Sequence, residues 1–136
     1  MKRNEDTVWL MNQVADQIEQ HPEQYDQSVW FYPKGSCGTI CCIAGWTVKI
    51  AMPERWAEFE ANGVDEWGEV VGRYDDYIRV KATELLGLEI GKSETYLFST
   101  GWKPANDMTV SEALRKFAGG EDIQDVTYPN YIGRSI

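Results

Sequence analysis

At 136 residues, 43% apolar and 12% aromatic, the chain has the size and apolar content of one folded domain, in spite of a net charge of −9. Its 22 Asp and Glu against 13 Lys and Arg argue against direct binding to nucleic acid or to an anionic membrane, since both need clustered cations. The polar start Met1-Lys2-Arg3-Asn4-Glu5-Asp6 predicts no secretory segment. The most apolar run, Ile40 to Met52, is too short to span a bilayer and contains Lys49. Three crowded cysteines, Cys37, Cys41 and Cys42, form no disulfide framework, so reduced thiols are expected, in the cytoplasm of a bacterium or of an infected host cell.

In chain order, Val8, Met11, Val14, Ala15 and Ile18 recur at helical spacing and predict a first amphipathic helix, capped by Asp6 or Thr7 and ended at His21-Pro22. Pro22 opens a short turn through Tyr25. Ser28 to Tyr32 is aromatic and β-branched and reads as extended, at most a minor strand without a partner strand nearby, closed by Pro33 and Gly35. Thr39 is the expected N-cap of a central, nearly all-apolar helix running to Met52. Pro53 ends that helix and starts another to about Ala61, before the stop at Asn62-Gly63. Residues 64–72 read as loop. A helix over Asp76 to Leu86 turns Ile78, Ala82, Leu85 and Leu86 inward and ends at Gly87. One or two helical turns follow over Ser93 to Phe98. Thr109-Val110-Ser111-Glu112 is a capping box opening a helix through Phe117, stopped by Gly119-Gly120. The fold class expected is therefore mainly α. It is a single small domain, 1–136, of five or six helices around the helix at about 39–52, with a helical core over about 7–118 and an irregular tail over 119–136.

Cys37 to Trp46 is the one stretch that invites a chemical reading. With Thr39 as N-cap, Cys41 and Cys42 occupy the second and third helical positions, where free amides and the helix dipole favour a thiolate. A nucleophilic thiolate wants a base, and the single histidine is His21, which Asp26 can orient. The competing reading is that small cysteines simply pack in a crowded core. Three cysteines and a histidine match a zinc set in number, but the adjacent Cys41 and Cys42 diverge on a helix, so no metal and no cofactor are expected. Glycine-rich phosphate loops and nucleophile-elbow serines are absent from the sequence.

The acid is uneven. Glu54, Glu58, Glu60, Asp65, Glu66, Glu69, Asp75 and Asp76, set against Arg55 and Arg73, place a net −6 within 54–76. Such a stretch steers a basic partner, or else is a solvated face that keeps the chain soluble. Trp9, Trp30, Trp46 and Trp102 adjoin apolar positions and are expected in the core. Trp56 and Trp67 lie among the acids, where aromatics anchor binding surfaces, although an amphipathic helix burying Trp56 explains it equally well.

The run His21-Pro22-Glu23, Tyr25-Asp26-Gln27 and Trp30, followed by Cys37-Gly38-Thr39-Ile40-Cys41-Cys42-Ile43-Ala44-Gly45-Trp46, resembles a family of small bacteriophage and bacterial proteins with HPE and CGTxxCxAGW-like segments. Ala82 to Leu88, with Leu97-Phe98, is similar to their second half. The resemblance makes Cys37 and Cys42 the motif cysteines, leaves Cys41 at a variable position, and implies no particular activity. Together these features predict a non-enzymatic acidic interaction module. Its partner is a host protein with a basic surface, and its role that of a phage-encoded modulator or inhibitor of a nucleic-acid-binding or defence protein. The partner-binding residues are the eight carboxylates with Trp56 and Trp67. A cysteine-dependent enzyme using Cys37 or Cys42 with His21 and Asp26 is the alternative.

Overall fold

The computed structural model describes residues 1–27, 31–35, 38–62, 72–89, 91–99, 101–105 and 107–129. The chain is mainly helical, as its periodicity predicts. Helix α1 spans Glu5–Gln20, strands β1 and β2 span Phe31–Gly35 and Gly38–Cys41, and α2 spans Ile43–Ala51. Helices α3, α4, α5 and α6 follow at Pro53–Asn62, Gly72–Leu85, Val110–Ala118 and Ile123–Val126. Short 3-10 turns lie at Pro22–Gln24 and Ser93–Phe98.

Helix α2 is the centre. Ile43 to Val48 are all buried, because a helix apolar on every side has to be covered on every side. Helix α1 packs on one flank and α4 on another, and α1 in turn lies along α5. The buried stripe of α1 is Leu10, Met11, Val14, Ala15 and Ile18, which repeats at three and four residues. Its cap is Asn4, not Asp6 or Thr7: the Asn4 side chain accepts from the Thr7 amide at 2.9 Å, and Thr7 Oγ1 accepts from the Asn4 amide at 3.0 Å. Arg115 on α5 binds Asp16 and Glu19 of α1 at 2.6 and 2.9 Å. Arg3 donates to the Phe117 and Glu121 carbonyls at the end of α5 and lies over the Phe117 ring.

Two expectations change here. The extended segment has a partner after all. Phe31 pairs with Cys41, Tyr32 with Ile40 and Gly35 with Gly38, antiparallel, with an irregularity between Tyr32 and Gly35 where Pro33 has no amide to give. Thr39 therefore lies in β2, and Cys42, with extended backbone (ψ −176°), is the N-cap of a helix three residues shorter at its start than predicted. The tail is also less irregular than expected. Helix α6 buries Ile123 and Val126, Thr127 bridges Pro104, and Trp102 Nε1 donates to Thr127 Oγ1 at 3.0 Å. Thr109 caps α5 by accepting from the Glu112 amide at 3.2 Å.

Candidate functional site

The cysteine segment is built by β2 running directly into α2. Cys41 ends the strand and is held on both sides: it pairs with Phe31, and its carbonyl accepts from the Asp26 amide at 3.1 Å. The segment 24–27 is tied down over this junction. Trp46 Nε1 donates to the Gln24 carbonyl at 2.9 Å, and Tyr25 Oη donates to Gln27 Oε1 at 2.9 Å. Gln27 Nε2 donates to the carbonyls of Leu97 and Ser99, both at 2.8 Å. Beneath it Cys41 is 0% exposed and Cys42 2%.

Burial decides the chemistry of both sulfurs. Losing water disfavours a thiolate, so Cys42 is pushed up to about 11, and the amides of Gly45 and Ala44 at the start of α2 only partly offset that. Cys41 is also raised well above the ordinary range by burial, then by its neighbour Cys42. Of the two readings, the dipole-activated thiolate loses its support at both positions and the packing of small cysteines in the core is the one their burial fits, because desolvation outweighs the helix start.

His21 lies elsewhere in chemical terms. It is exposed, its Nδ1 is 3.4 Å from Glu23 Oε1, and no hydrogen bond joins it to Cys41 or Cys42. Asp26 does act on the sulfur side, where its charge raises Cys42 and Tyr25, secondary to burial in both cases. The set Cys42, His21 and Asp26 is therefore not assembled as nucleophile, base and orienter. Cys37 falls outside the described residues. Among the described residues no group of three His, Cys, Asp or Glu side chains is placed to hold a metal ion. Among the described residues no helix is long and apolar enough to cross a membrane.

The acidic stretch divides. Glu54, Glu58 and Glu60 are exposed on α3, and Asp75 and Asp76 belong to α4; Asp65, Glu66, Glu69 and Trp67 lie outside the described residues. Two of the α3 carboxylates have cations beside them, with Glu58 2.5 Å from Arg55 and Glu60 3.8 Å from Lys49. Trp56 is not a surface anchor. It is 2% exposed, donates from Nε1 to Glu60 Oε1 at 2.9 Å, and meets Phe59 edge to face, as Phe59 meets Tyr77. The amphipathic pattern of α3 wins, since Trp56 and Phe59 share its inner face while the glutamates take the outer. At the α2–α3 corner an open hollow of about 410 Å³ is lined by Ala51, Met52, Pro53, Glu54 and Arg55. Its described lining presents one carboxylate and one guanidinium, and Arg55 is already over the Phe59 and Tyr77 rings.

One surface residue escaped the sequence reading. Trp9, expected in the core, is 56% exposed. The signal was present: Glu5, Asp6, Asn12 and Gln13, one turn before and after it, are all polar, so Trp9 stands on the outer face of α1.

The chain matches no family model, no curated protein and no solved structure.

Proposed function

We propose that this chain is a non-enzymatic acidic interaction module that engages a basic surface on another protein. It would act as a phage-encoded modulator or inhibitor does when it presents carboxylates in place of nucleic-acid phosphates. The observation that carries this reading is the charge. The chain has a net −9, and the described carboxylates of its most acidic stretch, Glu54, Glu58 and Glu60, all face water on α3. An anionic field of that kind raises the encounter rate with cationic surfaces and repels phosphate. The burial of Cys41 and Cys42, neither of which is hydrogen-bonded to His21, removes support from the thiol-enzyme reading.

The test is affinity purification of bacterial proteins on the wild-type chain and on a variant carrying Glu54→Gln, Glu58→Gln, Glu60→Gln, Asp75→Asn and Asp76→Asn. Basic nucleic-acid-binding proteins are expected on the wild type, released between about 0.1 and 0.5 M NaCl and displaced by short duplex DNA. Identical retention by the two proteins would remove the proposal. A Cys37→Ser change is expected to leave retention unaltered.

A further inference from the structure

We infer that the outer face of α1, centred on Trp9, is a docking surface for a cationic segment of a partner protein, with an arginine of that segment stacked on the indole. The inference rests on the interaction reading above and assigns it to a different helix from the one the acidic sequence suggests.

Three observations meet at Trp9. The first is exposure. Trp46, Trp56 and Trp102 are buried to within 4% of complete, and each donates its indole N–H to a protein acceptor. Trp9 is 56% exposed, the one large apolar side chain so placed among the described residues, and no described residue accepts from its Nε1. An indole in water forfeits the burial that stabilises its siblings, and tryptophan is the residue type most enriched where binding energy concentrates. The second is position. Leu10, Met11, Val14, Ala15 and Ile18 fill the inner face of α1, so Trp9 projects from the opposite side of a helix that is anchored along its length on α5 and α2. It is a large anchor on a rigid mount, which lowers the entropy lost on binding.

The third observation is charge, and it selects the occupant. Glu5 and Asp6 are exposed one turn before Trp9, and Asn12 and Gln13 lie one turn after it. None of these positions is cationic. Of the cations close to α1, Arg3 is turned to the end of α5 and Arg115 is held by Asp16 and Glu19, while Lys2 is exposed in the segment before Glu5. A partner cation over the indole thus meets an aromatic face and two carboxylates, with no positive charge from α1 opposing it. Guanidinium fits better than ammonium because it is planar, weakly hydrated and able to stack while still donating to a carboxylate.

The probe is an acetylated, amidated peptide of alternating Arg and Gly, with the same peptide carrying citrulline for Arg as a neutral control, titrated by calorimetry at about 0.15 M NaCl. Trp9→Ala leaves the net charge untouched and removes an exposed side chain. It is expected to weaken the arginine peptide about fivefold or more, Trp9→Phe by about half that factor, and Glu5→Gln with Asp6→Asn to weaken it further. In NMR spectra the indole N–H signal lost in Trp9→Phe should shift on titration while those of Trp46, Trp56 and Trp102 stay in place. An unchanged affinity in Trp9→Ala, or equal binding of the citrulline peptide, overturns the inference. If affinity is unchanged in Trp9→Ala yet falls in Glu54→Gln/Glu58→Gln/Glu60→Gln, the docking surface is on α3 and the interaction reading stands without this one. If neither variant weakens the peptide, both fail.

Discussion

Cys42 sits where two forces pull in opposite directions. The first amides of α2 would favour its thiolate, and the loss of water around a sulfur 2% exposed disfavours it more strongly, leaving the thiol pushed up from an ordinary 9.0 to about 11. Cys41 and Tyr25 are raised in the same direction, each chiefly by burial. The consequence for stability has a definite sign. Below pH 9 the Cys42 thiol is protonated in folded and unfolded chains alike and the contribution is fully present. Between pH 9 and about 11 the unfolded chain ionises while the folded one does not, so stability is lost as pH rises through that window. Urea midpoints measured at pH 7.5, 9 and 10.5 should fall across the last interval in the wild type and fall less in Cys42→Ala. Parallel slopes in the two proteins would mean that other groups govern the alkaline limb. The tryptophans show the same principle on neutral groups. Trp46, Trp56 and Trp102 enter the core because each indole N–H finds an oxygen there, at 2.9, 2.9 and 3.0 Å respectively.

The helices begin and end at chemically marked residues. Helix α4 closes in a Schellman arrangement, with the Gly87 amide donating to Glu84 and the Leu88 amide to Thr83, and Gly87 at φ +65°. The N-terminal segment then crosses directly over that glycine. Lys2 donates its amide to the Gly87 carbonyl at 2.7 Å, and a methyl group placed on Gly87 would lie 2.8 Å from Lys2 Cβ and 3.1 Å from the Lys2 carbonyl oxygen. Gly91 also has positive φ, +83°, but nothing stands within 4 Å of its missing side chain. Gly87→Ala should therefore cost more than Gly91→Ala, about 2–3 kcal/mol against about 1, because backbone strain is common to both and only Gly87 adds the collision. Thermal unfolding of the two variants side by side checks the difference, and equal losses would mean that the Lys2 crossing gives way freely. Much of this level is legible from sequence, since Leu-Leu-Gly-Leu, Thr-Val-Ser-Glu and Met-Pro state their helix ends locally. The β2 segment is not. Gly38 to Cys41 becomes a strand only because Phe31–Gly35 pairs with it, and a short apolar run has no period that separates strand from helix. That the cysteines pack in the core was one of the two readings the sequence offered, but what covers them was not legible: residues 24–27 are tied across the junction through bonds to α2 and to the segment Leu97–Ser99. Trp9, by contrast, was legible from its four polar neighbours and was outweighed by its apolar flanks, Val8 and Leu10.

Over the whole molecule the surplus of carboxylates is the dominant electrostatic fact. Described ion pairs occupy Arg115, Arg55, Lys49 and Lys81, each with glutamate or aspartate and each at least partly in water. Such pairs contribute little individually, and 22 carboxylates against 13 cations leave nine negative charges in excess whatever the pairing. A folded chain holds those charges closer together than an unfolded one, so their repulsion opposes folding, and salt weakens it as the screening length shrinks from about 30 Å at 0.01 M to about 8 Å at 0.15 M. The melting temperature should accordingly rise by a few degrees, about 2–6 °C, between 0.01 and 0.15 M NaCl and then level off. A fall over the same range would mean that the exposed ion pairs outweigh the repulsion. Binding of a basic partner has the opposite salt dependence. Its cations take the place of the salt ions around the carboxylates, relieve the repulsion and raise the melting temperature most where salt is lowest. Stability rising with salt and partner affinity falling with it therefore have one cause, the unbalanced acid. A variant that neutralises exposed carboxylates should flatten both curves together; if only one flattens, repulsion within the fold and attraction to the partner reside on different residues.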